Sequence, residues 1–264
     1  MKIGFIGAGN MAGAIIRGMT GSGVRGGDIL AYDTDTGKLV ALFESCGVRM
    51  CGSAEEVVSE SEAVVLAVKP QVFPELLPAL SDTLQECGPL VISIAAGKSL
   101  AEIEGYIGAG LPVVRVMPNL NAKVGESMSA FCGNEAVGEA DKDLVRRVFD
   151  SVGETVELPE RLFAAFSAIG SCSPAFTLLY IDALAEAGVR GGIPKSTALK
   201  IAAQSVLGTA RLLQETGEHP RALADAVCSP GGTTVEGVAA LQENGFEAAV
   251  LKAVKASIEK DMSL

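Results

Sequence analysis

The chain opens Met1-Lys2-Ile3-Gly4-Phe5-Ile6-Gly7-Ala8-Gly9-Asn10-Met11-Ala12. No other stretch limits the fold as much. Ile3, Phe5 and Ile6 read as a short buried strand. Gly7-x-Gly9 makes a tight turn, and Ala12 stands where a third glycine would be, a permitted exchange. A helix through Ala14, Ile15, Ile16 and Met19 follows, closed by Gly21 and Gly23. Glycines at such a turn let the backbone approach a pyrophosphate, and the free amides at the helix start hold its charge. A second strand, Ile29-Leu30-Ala31-Tyr32, ends at Asp33, 26 residues past Gly7. That is near the ~20 expected for an acid that binds a ribose. Gly7, Gly9, Asn10, Met11, Ala12, Asp33 and Thr34 are the first candidate cofactor-binding residues. Taken alone, the glycines also fit a plain strand-turn-helix.

The pattern then repeats. Thr36 can cap a helix carrying Leu39, Val40, Leu42 and Phe43. Val48-Arg49-Met50 is a short strand, and Ser53-Ala54-Glu55-Glu56 has the pattern of a capping box. Ala63 to Val68 is a continuous apolar run, as expected of a strand covered on both faces. Leu90 to Ile94 and Val113 to Met117 are further strands, and Ser99 caps the helix between them. Ser127 to Cys132 and Glu154 to Leu158 are expected as edge strands around a helix from Asp141 to Asp150. Strands alternating with helices give an α/β, Rossmann-like, doubly wound, mostly parallel sheet. Ligands of such sheets bind beyond the carboxyl ends of the strands. This adds Val68, Lys69, Pro70, Ala95, Ala96, Gly97 and Asn119 as candidate cofactor contacts.

From about Leu162 no further strand is convincing. Helices are expected near 174–187, 196–216, 220–227, 233–243 and 246–262. The chain thus divides into a dinucleotide-binding domain, 1–158, and a helical substrate-binding and dimerisation domain, 159–264. Phe176, Leu178, Leu179, Ala198, Ile201 and Val206 offer more apolar surface than about 100 residues bury alone, so a dimer through this half is expected. Leu162 to Ile181 carries no charge, the length of a membrane span. Its Gly170-Ser171-Cys172-Ser173-Pro174 centre is polar and helix-breaking, and reads as a turn between two buried helical pieces.

Composition excludes several classes. A net charge of −11 argues against nonspecific binding to nucleic acid or anionic membranes, which need basic patches. Cys46, Cys51, Cys87, Cys132, Cys172 and Cys228 form no CxxC pair, and His219 is the sole histidine. A zinc site and a disulfide framework are therefore not expected. Most of the cysteines read as small buried hydrophobes. The chain enters the nucleotide loop at once, so no leader is expected and the reducing cytoplasm is the expected compartment. His219, in a Gly217-Glu218-His219-Pro220 turn, reads as a residue bonding nearby backbone, with no triad around it.

One stretch of the helical half carries chemistry. In Ser229-Pro230-Gly231-Gly232-Thr233-Thr234-Val235-Glu236, two glycines precede a helix start, and Thr233-x-x-Glu236 has the capping-box spacing. Close approach and first-turn amides suit a carboxylate. A capped turn without ligand fits the same residues. If the Thr233 hydroxyl serves the box, that of Thr234 is free to reach outward.

The chain resembles the pyrroline-5-carboxylate reductase family over essentially its whole length. The resemblance is carried by IGFIGAGNMA at the start, AVKP at 67–70, SIAAG at 93–97, MPN at 117–119, and GEHP through SPGGTT at 217–234. Two places depart from the family. Ser171-Cys172-Ser173-Pro174-Ala175-Phe176 replaces a more glycine-rich turn followed by tyrosine, and Leu120-Asn121 replaces Thr-Pro. The resemblance implies hydride transfer from NADPH or NADH to the cyclic imine 1-pyrroline-5-carboxylate, giving L-proline. It implies an active site between the two domains, partly completed by the partner subunit of a homodimer or a higher oligomer of dimers. It places substrate contacts at Ser229, Gly231, Gly232, Thr233 and Thr234, with Thr234 as the catalytic threonine. An imine arrives protonated or takes its proton from solvent, so no strong protein acid is required. Rival readings are a β-hydroxyacid dehydrogenase using Lys195 or Lys200, and a nucleotide sensor without turnover. An acid at Asp33 would bond the 2′-hydroxyl of NADH and repel a 2′-phosphate. Good use of NADH, and a shift toward NADPH in Asp33→Ser, are therefore expected.

Overall fold

A computed structural model describes residues 2–263. The chain separates into two compact units. One comprises residues 2–171 with 260–263, the other residues 172–259.

The first unit is built on the strands β1 (Ile3–Ile6), β2 (Ile29–Tyr32), β3 (Arg49–Met50), β4 (Ala63–Leu66), β5 (Leu90–Ser93), β6 (Val113–Met117), β7 (Ser127–Gly133) and β8 (Gly153–Glu157). They form one sheet in the order β3-β2-β1-β4-β5-β6-β7-β8. All neighbours are parallel except β6 and β7. The Ser127 strand is therefore interior to the sheet, not at its edge; only β8 is the edge on that side.

Six helices cover the sheet: α1 (Asn10–Gly21), α2 (Thr36–Cys46), α3 (Ala54–Glu60), α4 (Phe73–Cys87), α5 (Leu100–Ile107) and α6 (Glu139–Phe149). Alternate strand residues serve alternate faces. Ile3, Phe5, Ala31, Val65, Ile92 and Val114 pack with Ile15 and Met19 of α1, Leu39 of α2 and Phe149 of α6. Ile6, Leu30, Leu66 and Val91 pack with Val57 of α3, Leu77 of α4 and Ile103 of α5. Helix starts follow local chemistry. Asp35 caps α2 by accepting from the Gly37 amide, so Thr36 is the first helical residue and not the cap. Ser53 accepts from the Glu56 amide, but the Glu56 carboxylate returns to Gly52 rather than Ser53. Ser99 and Glu102 form a complete capping box.

The expected turn at 170–174 does not break the chain. A short 3₁₀ turn, α7 (Phe163–Phe166), a π-helical segment (Ser167–Cys172) and α8 (Ser173–Arg190) are continuous. Pro174 has no N–H to give the carbonyl four residues back, that of Gly170. The Asn119 side chain supplies the donor, Nδ2 to Gly170 O at 2.8 Å. A partner from outside the helix thus lets glycine and proline sit within it.

The second unit is helical: α8, then α9 (Lys195–Thr216), α10 (Pro220–Val227), α11 (Thr233–Glu243) and most of α12 (Phe246–Asp261). Gly188 lets α8 approach α9 at Ala198; a Cβ on it would lie 3.1 Å from the alanine Cβ. Among the described residues of this unit, the buried ones are Ala185, Ala198 and Ala202. Leu179 is 72% and Leu178 60% exposed. His219 caps α10, its Nδ1 accepting from the Arg221 amide. The cysteines are less buried than expected: only Cys51 and Cys132 are inside, and Cys87 is exposed.

Arg115 of β6 is 8% exposed. Its guanidinium lies 3.0 Å from Glu160 Oε1 and stacks 4.6 Å above the Phe163 ring. Glu160 Oε1 also accepts from the Leu100 amide at 2.8 Å, so one carboxylate joins β6, α5 and the helical run. Breaking a buried pair leaves a charge without its partner. Because Glu160 is one-third exposed, Arg115→Ala should lower unfolding free energy by about 2–3 kcal/mol, measurable as a fall in the urea midpoint. A change under about 0.5 kcal/mol, the scale of an ordinary surface substitution, would remove the pair from the account.

Candidate active site

The strand order reverses between β1 and β4, and that switch point is where such sheets hold ligands. The ends of β1 and β4 meet there closely. A Cβ on Gly7 would lie 2.6 Å from the Ala67 carbonyl oxygen, and Gly7 has φ +103, a conformation that favours glycine. Gly9 differs. Its φ is −73, open to any residue, and a Cβ built on it meets nothing within 4 Å. No contact inside the chain requires glycine there, so the site has room for a group passing close over the backbone, as a pyrophosphate does. Ala12 is buried in the helix–sheet contact, the packing role of the third glycine.

A cavity of about 430 Å³ lies beside this loop, lined by Ala8, Gly9, Asn10, Gly13, Arg17, Lys38, Ala41, Leu42 and Lys69. It brings together Gly9, Asn10 and Lys69 of the expected set. It adds two cations, Arg17 and Lys38. Arg17 was missed by the sequence reading, although Asn10, Gly13 and Arg17 lie at helical spacing on one face of α1. Three cations around a glycine loop suit the phosphates of a dinucleotide.

Asp33 accepts two backbone bonds, from Ala8 at 2.7 Å and from Asp35 at 2.8 Å. Lys38 Nζ lies 3.6 Å from it. Burial acts to raise the carboxyl; the two amides and Lys38 outweigh it and hold the group below the usual carboxylate range. Thr34, Lys69, Ala96 and Gly97 are exposed at strand ends, Met11, Val68 and Pro70 are half-buried, and Ala95 is buried. Asn119 is 6% exposed. Its Oδ1 accepts from the Asn121 amide and its Nδ2 serves Gly170, so its amide works within the chain.

In the helical unit, Gly231 has φ +68, and the Gly232 amide returns to the Ser229 carbonyl at 2.9 Å. The expected Thr233–Glu236 capping box is absent. Gly232 is the N-cap and has no side chain, which puts Thr233 one residue inside the helix. Thr233 and Thr234 are both exposed. Lys195, a residue of the rival dehydrogenase reading, is paired with Asp182 at 2.7 Å. Burial pushes the Cys132 thiol up to about 12, which removes it as a nucleophile. Among the described residues no cluster of three or more His, Cys, Asp or Glu could hold a metal.

Fold and loop together define a protein of the dinucleotide-binding class that also carries a helical unit. A family model described as pyrroline-5-carboxylate reductase dimerisation matches residues 160–264, and one described as NADP oxidoreductase, coenzyme F420-dependent, matches residues 2–97. A pyrroline-5-carboxylate reductase from Escherichia coli (strain K12) is 40% identical over 264 residues, covering 100% of this chain and 98% of its own. The solved reductase from Coxiella burnetii superposes with a TM-score of 0.96 at 32% identity, covering 99% of this chain and 97% of its own. That from Plasmodium falciparum, with NADP bound, gives 0.88 at 29% identity, covering 100% and 97%. The chain belongs to the pyrroline-5-carboxylate reductase family.

The two glycines of the loop should respond differently. Gly9→Ala should fold with an unchanged melting temperature but bind NAD(P)H at least about tenfold more weakly, a loss of ~1.4 kcal/mol. Gly7→Ala should be destabilised, because both its φ and the Ala67 carbonyl oppose a side chain. Thermal melts and cofactor fluorescence titrations check both, and equal behaviour of the two variants would contradict this reading.

Proposed function

We infer that the chain reduces 1-pyrroline-5-carboxylate to L-proline, the last step of proline biosynthesis, with NADPH or NADH as reductant. The observation that carries this is a cation-lined glycine loop and an SPGGTT turn in one chain that matches reductases of this name along its whole length. The nicotinamide supplies the hydride; the protein supplies position. In this reading Gly7, Gly9, Asn10, Met11, Ala12, Asp33, Thr34, Val68, Lys69, Pro70, Ala95, Ala96, Gly97 and Asn119 form or support the cofactor site. Ser229, Gly231, Gly232, Thr233 and Thr234 hold the substrate.

Thr234 lies in the first turn of α11, exposed beside the open backbone of Gly231 and Gly232. First-turn amides favour a carboxylate. The Thr234 hydroxyl accepts from a protonated imine nitrogen and donates to the amine product, orienting the ring without itself transferring the proton. The absence of the capping box leaves the Thr233 hydroxyl available as well, so Thr233 is the second candidate for this bond. Thr234→Ala should cost about 1–3 kcal/mol, roughly 5- to 150-fold in kcat/KM, with cofactor affinity little changed. Thr234→Ser should keep much of the activity. NAD(P)H oxidation with 1-pyrroline-5-carboxylate reads this out, and a Thr234→Ala enzyme within twofold of wild type would remove the residue from the site.

The functional halves divide at 158/159, and the helical half forms a homodimer or a higher oligomer built from dimers. Support comes from a helical unit whose buried residues are three alanines and most of whose leucines stand exposed, and from the dimerisation model matched there. Helices packed this thinly need a second copy to cover their apolar faces. The run Glu160–Arg190 is long and apolar enough to cross a membrane by length and composition. We read it as an interior and interface helix acting in the cytoplasm, a reading supported by the burial of Phe163 and Phe166 and by six free thiols. Analytical ultracentrifugation should find no active monomer; a fully active monomer would refute the assembly.

A further inference from the structure

We propose that Asp33 positions the glycine loop from within the protein instead of binding the ribose, and that Lys38 decides between NADH and NADPH. This rests on the dinucleotide site argued above and changes the expectation drawn from the sequence.

The register shows what the carboxylate does. β1 and β2 pair through Ile6 and Tyr32. The next amide, that of Gly7, still finds a strand partner, the Tyr32 carbonyl at 2.7 Å. The amide after it, that of Ala8, receives Asp33 Oδ2 at 2.7 Å instead. The side chain of Asp33 thus extends the parallel ladder by one bond and pins the backbone immediately before Gly9. Its other oxygen accepts from the Asp35 amide, which shapes the turn into α2. The side chain is 12% exposed. A carboxylate held in this way is a fixed part of the loop, and an approaching ribose meets little of it.

Charge around the cavity points the same way. Arg17, Lys38 and Lys69 line it, and no carboxylate does. Lys38 is 48% exposed and lies 3.6 Å from both Asp33 Oδ1 and Asp35 Oδ2. Both distances are beyond an ordinary hydrogen bond, so the ammonium neutralises the pair loosely and keeps its donors for a ligand. A cation past the end of the second strand is where a phosphate on the adenosine ribose is accommodated. The Asp33 charge is offset by Lys38 and turned into the backbone, so it does not repel that phosphate.

The test is titration of NADH and NADPH by fluorescence on the wild-type protein and three variants, with thermal melts to verify folding. Asp33→Ser should weaken both cofactors by the same factor, about tenfold or more, leaving their ratio within twofold of wild type. Asp33→Asn, whose Oδ1 still accepts from the Ala8 amide, should recover part of that loss for both. Lys38→Ala should weaken NADPH at least about fivefold and NADH less than twofold. The proposal fails if Asp33→Ser binds NADPH more tightly and NADH less tightly than wild type, the signature of a ribose ligand. It fails equally if Lys38→Ala leaves the cofactor ratio unchanged. Wild-type protein that binds neither cofactor overturns the dinucleotide reading and this inference with it. Because each variant is read by binding, the result does not depend on the identity of the imine.

Discussion

A parallel sheet has to be covered on both faces, and the rest of this structure follows from that requirement. Ile3 and Phe5 of β1 point into one core and Ile6 into the other. The same alternation holds in β2, β4 and β5. Two apolar faces bind helices on both sides, so each crossover returns the chain to start the next strand in the same direction. The strands β1 to β6 then all end at one edge of the sheet. The irregular residues that follow those ends, from Gly7 to Asn119, are gathered there by topology and need no affinity for one another.

Within that frame, a few polar bonds fix what the apolar packing leaves free. The Ala8 amide and Asp33 carboxylate hold the glycine loop. Arg115, Glu160 and the Leu100 amide join sheet, helix and helical run. Asn119 supplies the donor that Pro174 lacks. Each involves a partly or fully buried group that would otherwise lose its hydrogen bonding to water without replacement. Each therefore ties a specific piece of backbone to a specific place.

The sheet and its helices were legible in the sequence because apolar periodicity reports burial directly. β1, β2, β6, α10 and α11 fall where their residues predict, and the other predicted strands and helices differ at their ends or in sheet position. What stayed hidden depends on partners distant in sequence. Gly170 and Pro174 read as a break because Asn119, 51 residues away, is invisible to a local pattern. Thr233 and Glu236 have the spacing of a capping box, but the helix begins one residue earlier than that box requires. Asp33 stands out at the end of β2, whereas its engagement by the Ala8 amide is invisible to a local pattern. Arg17 reaches the cavity beside the glycine loop through helical spacing alone, a weak signal in a helix whose other residues are mostly core.

The central claim is a direct hydride transfer to a carbon–nitrogen double bond, with the protein orienting both partners. Incubation with 1-pyrroline-5-carboxylate and a reduced nicotinamide cofactor bearing deuterium at both positions of its reactive carbon, followed by mass spectrometry and NMR of the product, tests it most directly. The account predicts L-proline carrying a single deuterium on the ring carbon that was the imine carbon, on one face only. Proline without label, label distributed over both faces, or cofactor oxidation with no proline formed would contradict it.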